Sequence, residues 1–282
     1  MKRFLLYCSI FLSVVLSVGV IYPMMTYQED VPGSEIYRAI KKSKQRTSVR
    51  TLIIGDSTAN QFFNNTNDED GVYSLACNQA IAVCGHYFLL HNYLTAGNRP
   101  EEVYLLYNAI SFSNNLNQVF TYHYFLKPFF RDEYKPLMSS TVMRQIRKIP
   151  DYERCQLPPI LTSAWAPDFP PEPSDCTFLS PISREYLCKM DSLSKEYGFR
   201  LYIVPTLMDE TKRPEVDGID PAEYRGAPYA KKLDLYRDHI VFLEDSCFAD
   251  GTHIKNAPEH KPLVIENMEA IKQQYLAEGI CH

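Results

Sequence analysis

The stretch Thr51-Leu52-Ile53-Ile54-Gly55-Asp56-Ser57-Thr58 decides how this chain is read. An apolar run, rich in β-branched residues, feeds directly into a Gly-Asp-Ser turn. Val49 to Ile54 therefore reads as a strand with a serine just beyond its carboxyl end, the edge where open α/β sheets place their ligands. Glycine, aspartate and serine all favour turns, so the triplet alone also describes an ordinary strand-ending turn. Asp250-Gly251-Thr252-His253, far along the chain, changes the weighing. A serine, a histidine and an aspartate three residues before it supply a nucleophile, its base and the group that orients the base.

Working outward, Val72 to Cys77, Glu102 to Tyr107, Phe199 to Leu207 and His239 to Leu243 read as further strands. Continuous apolar runs such as Val103-Tyr104-Leu105-Leu106 suit strands covered on both faces. Helices are predicted from Gln61 onward, over Ile81 to Leu94, Ser139 to Lys148, Ile182 to Tyr197 and Pro262 to Leu276, with Gly97 to Pro100 and Gly198 as stop signals. Alternating strands and helices predict an α/β fold with a central parallel sheet of about five strands between helices. Residues 113–182 interrupt the alternation. Val119 to Tyr134 is dense in aromatics (Phe120, Tyr122, Tyr124, Phe125, Phe129, Phe130, Tyr134), and Leu157 to Pro181 is rich in proline and carries Trp165. This reads as an insertion over the carboxyl edge of the sheet. Its aromatics either pack its own core or line a groove for a sugar or an acyl chain.

The 282 residues are 45% hydrophobic and 22% charged, with a formal net charge of −5. That suits one sizeable globular domain and gives no basic face for nucleic acid. The basic cluster Arg38, Lys41, Lys42, Lys44, Arg46 and Arg50 reads as a solvated helix face. Lys2 and Arg3 precede an uncharged apolar run, Phe4 to Tyr22. The run is nearer the roughly 20 residues of a membrane span than a signal-peptide core of about 7–15, and Val20 to Met24 makes a poor cleavage site. An uncleaved signal anchor over 1–25 is expected, then a linker over 26–48 holding a short helix around Glu35 to Lys44, then the domain over 49–282 on the outer side of the membrane. The basic cluster after the span argues weakly against that orientation.

Eight cysteines show no zinc spacing and no Cys-x-x-Cys. Some of Cys155, Cys176 and Cys188 have the loop-rich setting in which a bridge helps, whereas Cys77 and Cys84 read as buried thiols. Cys247 and Cys281 complete the set beyond Cys8. His86, His91, His123, His239, His260 and His282 have no partner at metal spacing, so neither metal nor cofactor is expected.

Gly55-Asp56-Ser57 after an early strand, with Asp250-x-x-His253 near the other end, resembles the SGNH (GDSL-type) hydrolase superfamily over Arg50 to about Tyr275. The resemblance implies a flavodoxin-like sandwich and an esterase, lipase, carbohydrate deacetylase or envelope acyl-transfer activity. It makes Ser57 the nucleophile, His253 the base and Asp250 the orienter. The oxyanion hole falls to the Ser57 N–H, Gln79 and Asn108, with Asn78, Asn114 and Asn115 as substitutes for Asn108. Two motifs depart from the family. Gln79 stands where a glycine is usual, in Leu75-Ala76-Cys77-Asn78-Gln79, and Leu106-Tyr107-Asn108-Ala109 replaces Gly-x-Asn-Asp. Together these features imply a membrane-anchored, extracytoplasmic serine esterase or acyltransferase acting on an acyl group, acetyl first, of a polysaccharide or glycan. The rival is a binding or assembly component of an envelope polysaccharide machinery with a weakened site. A lipolytic esterase, suggested by the aromatic insertion, is a third reading.

Overall fold

The apolar runs become parallel strands. In the computed structural model, which describes residues 2–21, 33–66, 68, 71–156, 166–167 and 178–280, β1 (Thr51–Gly55) lies between β2 (Val72–Ser74) and β3 (Glu102–Tyr107). Beyond β3 comes β4 (Arg200–Pro205), giving a four-stranded parallel sheet in the order β2-β1-β3-β4. The fifth predicted strand is shorter than expected. Its visible part, β6 (Phe242–Leu243), pairs with β5 (Met208–Asp209), the continuation of the chain just past β4. His239 is taken up as the C-cap of the preceding helix, which leaves few residues to extend.

Side chains along each strand alternate between two cores, as the period of two requires. Leu52, Ile54, Val103, Leu105, Leu201 and Ile203 face one cluster, filled by α2 (Ser34–Ser43), α4 (Ala82–Thr95) and α6 (Pro181–Tyr197). Ile53, Tyr104, Leu106, Tyr202 and Val204 face the other, filled by α3 (Ser57–Phe62) and α9 (Ala257–Ala277). The result is an α/β sandwich of the flavodoxin-like type, with the N-terminal apolar helix α1 (Lys2–Leu16), continued to Ile21, standing outside it with no buried residue.

Several expectations need correcting. The helix expected from Gln61 begins four residues earlier, at Ser57, because Asp56 caps it. The short helix expected around Glu35 to Lys44 appears as α2, and it is not wholly solvated, since its Ile36 and Ala39 are fully buried. Proline-bearing residues 208–230 form short turns and the one-turn helix α7 (Arg213–Asp217). The helix α8 (Ala230–Asp238), too rich in charge to show an apolar period, buries Leu233, Leu235 and Tyr236. In the insertion, Tyr122, Phe125, Phe129, Phe130 and Tyr134 pack inward. Phe88 of α4 stacks on Tyr134 and meets Phe125 and Phe129 edge-on or tilted, so these rings form core. The helix expected at Ser139 to Lys148 appears as α5 (Ser140–Ile146). Most of the proline-rich stretch with Trp165, and Cys176 and Cys281, lie outside the described residues. Among the described residues the cysteines are free, with Cys77, Cys84 and Cys155 buried and Cys188 and Cys247 partly so.

Candidate active site

β1 ends on a glycine because there is no room for more. A Cβ on Gly55 would lie 2.1 Å from the Leu106 carbonyl oxygen and 2.6 Å from Ala59 Cβ. This close approach brings the end of β1, the start of α3 and the end of β3 together. Asp56 then ties them. Its fully buried carboxylate accepts from Thr58 N–H (3.0 Å), Ala59 N–H (3.3 Å) and Thr58 Oγ1 through Oδ1, and from Asn108 N–H (2.9 Å) through Oδ2. Since the Thr58 hydroxyl donates to Asp56, the Thr206 hydroxyl at 2.7 Å donates to Thr58 and draws in the end of β4. Ser57 is left at the first helical position.

The second half comes from the loop between β6 and α9. An antiparallel bridge, Phe248 with Ile254, closes it, and Ala249 N–H donates to His253 O at 2.7 Å. Gly251 turns the loop at φ +73°, a left-handed conformation that favours glycine. Asp250 Oδ1 accepts from Thr252 N–H (3.0 Å) and His253 N–H (2.7 Å), which points both side chains the same way. Asp250 Oδ2 lies 2.8 Å from His253 Nδ1, and His253 Nε2 lies 2.9 Å from Ser57 Oγ. The structure thus joins Ser57, His253 and Asp250 in one hydrogen-bonded chain across 196 positions of sequence. Hydrogen bonds from the His253 backbone N–H, then its ring, then Thr252 N–H hold the Asp250 carboxyl below the usual carboxylate range. Asp250 therefore remains an acceptor for Nδ1–H, which leaves Nε2 to accept from the serine.

Sequence reading missed Gln61. One turn after Ser57, its Oε1 accepts from Ile254 N–H and its Nε2 donates to Ile254 O, both at 3.1 Å. Its only sequence signal is position, four residues past the serine on the same helical face.

Gln79 and Asn108 lie in the segments that follow β2 and β3, the two neighbours of β1. Asn108 Oδ1 accepts from Ile110 N–H at 3.1 Å, which leaves Nδ2 as its donor end. Gln79 is held through its side-chain oxygen, which accepts from Ser111 Oγ, and its carbonyl, which accepts from Asn114 Nδ2, each at 2.7 Å. Asn114 is thereby committed to the loop, and Asn78 to capping Ala80 N–H. Beside Asn108 opens a cavity of about 190 Å³ walled by Ala109, Ile110, Phe178, Val216 and Ile219, with Ser113 and Glu215 as its polar members. No group of three metal-ligating side chains occurs among the described residues.

No protein-family model matches the chain, and no curated protein matches it. Among solved structures, one from Bacteroides fragilis described as a "putative acylhydrolase" is similar, at 11% identity and a TM-score of 0.39, covering 84% of this chain and 96% of that one.

Proposed function

We propose that the chain is a serine esterase or acyltransferase of the SGNH type. The observation that carries this reading is the continuous relay from Asp250 Oδ2 to His253 to Ser57 Oγ, at 2.8 and 2.9 Å. In the reaction His253 Nε2 takes the Ser57 proton as Oγ bonds to the ester carbonyl carbon. The tetrahedral oxyanion is met by the Ser57 N–H, the Gln79 N–H and Asn108 Nδ2. His253 returns the proton to the departing alcohol, leaving an acyl-serine. Water, or an acceptor hydroxyl, then attacks with His253 again as base and frees Ser57.

The substrate class follows from the resemblance and from helix α1, which is long and apolar enough to cross a membrane. It is an acyl ester, acetyl first, on a glycan outside the cytoplasm. A non-catalytic binding role is the second reading, favoured by Gln79 in the glycine position and by its side chain being engaged with Ser111. The test is p-nitrophenyl acetate hydrolysis by the detergent-solubilised chain beside Ser57→Ala, with fluorophosphonate labelling of Ser57. A Ser57-dependent rate with labelling supports the enzyme. Absence of both supports the binding role.

A further inference from the structure

Residues 103–126 contain no Asp, Glu, Lys or Arg. This stretch comprises most of β3, the turn beyond it at the candidate active site and the start of the aromatic insertion. It carries three of the few large apolar side chains that the sandwich exposes: Ile110 at 37%, Val119 at 49% and Phe120 at 55%. Ile110 sits two residues past Asn108 and forms part of the cavity wall. Phe120 packs on Tyr124, ring centroids 5.9 Å apart. His123, between them, is neutral at pH 7, since burial and then Lys127 push it down to about 4. The Lys127 ammonium is itself buried. Glu35, partly exposed, is the carboxylate whose charge reaches Tyr124.

The same segment marks where the N-terminal tether reaches the domain. A Cβ on Gly33 would touch the His123 carbonyl oxygen at 3.4 Å and the Tyr124 ring at 3.6 Å. Residues 22–32 join Gly33 to the apolar helix. Covalent geometry limits eleven residues to about 40 Å when fully extended, at roughly 3.3–3.6 Å each. If α1 spans a bilayer, the stretch around Tyr124 is where the tether enters the domain, within about 40 Å of it.

We infer that Val119 and Phe120 rest in the interfacial layer of the bilayer that holds α1, and that the adjoining site takes an ester presented at that surface. An exposed aromatic ring and an exposed aliphatic chain, on a stretch that itself carries no charged residue, suit this layer. Ile110 carries the face to the mainly apolar cavity that opens just past Asn108. The inference rests on the anchor and esterase readings, and the test separates it from both.

The full chain is placed in phosphatidylcholine nanodiscs containing brominated lipid, with Trp165→Phe as background and one tryptophan introduced at a time. Phe11→Trp reports the anchor, Phe120→Trp the proposed contact and Leu276→Trp, on α9, the remainder of the domain. The expected result is strong quenching and blue-shifted emission for Phe11→Trp, clear quenching for Phe120→Trp and none for Leu276→Trp. Quenching of Phe11→Trp alone overturns the contact, and loss of Phe11→Trp quenching overturns it together with the anchor. Phe120→Asp is expected to lower turnover of hexadecyl acetate held in the nanodisc at least fivefold while leaving soluble p-nitrophenyl acetate within twofold. Equal effects on both overturn the surface-substrate half. Absence of any Ser57-dependent rate overturns that half through the esterase reading, while the quenching still decides the contact.

Discussion

The Gln61 side chain grips the backbone of Ile254 at both ends, N–H to Oε1 and O to Nε2, each at 3.1 Å. Helix α3 carries Ser57, and Ile254 follows His253, so this one amide ties the helix bearing the serine to the loop bearing the imidazole. Gln61→Ala removes two hydrogen bonds, each worth on the order of 1 kcal/mol net and more if its partner stays unsatisfied. The expected outcome is a roughly tenfold or greater fall in kcat with KM nearly unchanged, because the loss falls on geometry needed in the transition state. Steady-state kinetics on p-nitrophenyl acetate checks this. A rise in KM with kcat intact would place Gln61 in substrate binding instead.

Asp250→Asn is expected to reverse the imidazole. The new amide can present N–H to Nδ1, which then becomes the acceptor and places a proton on Nε2, facing Ser57. Buried triads lose about 10⁴-fold in kcat by this change. The Asp250 side chain is 57% exposed, so water competes and a smaller loss, about 10²–10³-fold, is expected. Unfolding midpoints should stay within a degree or two.

Asp56→Ala strips four donors of one buried acceptor group. Loss of the helix cap alone costs about 1 kcal/mol, and unsatisfied buried donors add about 1–3 kcal/mol each where water cannot enter. A total on the order of 3–5 kcal/mol is expected from urea unfolding, with esterase activity lost. Asp56→Asn keeps one acceptor oxygen and should recover part of the stability.

Stability is expected to fall in acid through Glu102. Burial alone raises its carboxyl, but Lys272, Tyr104 and Arg200 outweigh that and hold it below the usual range. A folded pKa below the unfolded one means the contribution is complete above the unfolded value, about 4, and is lost as pH falls through the folded value. Urea midpoints should therefore be level from about pH 7 to 5 and drop below about pH 4. Glu102→Gln should lower the plateau and flatten the drop; an unchanged drop would assign it to other carboxylates.

The cavity beside Asn108 gives a specificity test. At about 190 Å³ it exceeds the roughly 150 Å³ that accepts benzene in an apolar core. Val216→Trp fills it from α7, away from the relay. The expected outcome is a tenfold or larger drop in kcat/KM for p-nitrophenyl hexanoate with acetate within threefold. Equal losses on both esters would show that the cavity lies off the substrate path.

The strands and the Ser57, Asp250 and His253 positions were legible because their signals are local: apolar runs, a turn triplet and an Asp-x-x-His spacing. β3 was read to the residue, since Glu102 and Asn108 bound an uninterrupted apolar run. What stayed hidden depends on partners distant in sequence. Gln61 is a bland helical glutamine until Ile254 arrives, and Asp56 is a turn residue until Asn108 donates to it. α2 was legible as a short helix around Glu35 to Lys44, but its basic residues mask Ile36 and Ala39, spaced three apart on its buried side. α8 showed no apolar stripe because its buried side includes Lys232, which pairs with Asp191 inside the fold at 3.0 Å.

Ser57 and His253 stand at nearly opposite ends of the folded sequence. A ribosome therefore releases Ser57 long before it releases His253. The contact between Ser57 Oγ and His253 Nε2 thus needs the late segment that brings Ile254 to Gln61. On the proposed reading, any esterase activity would arise only once the C-terminal part of the chain has folded.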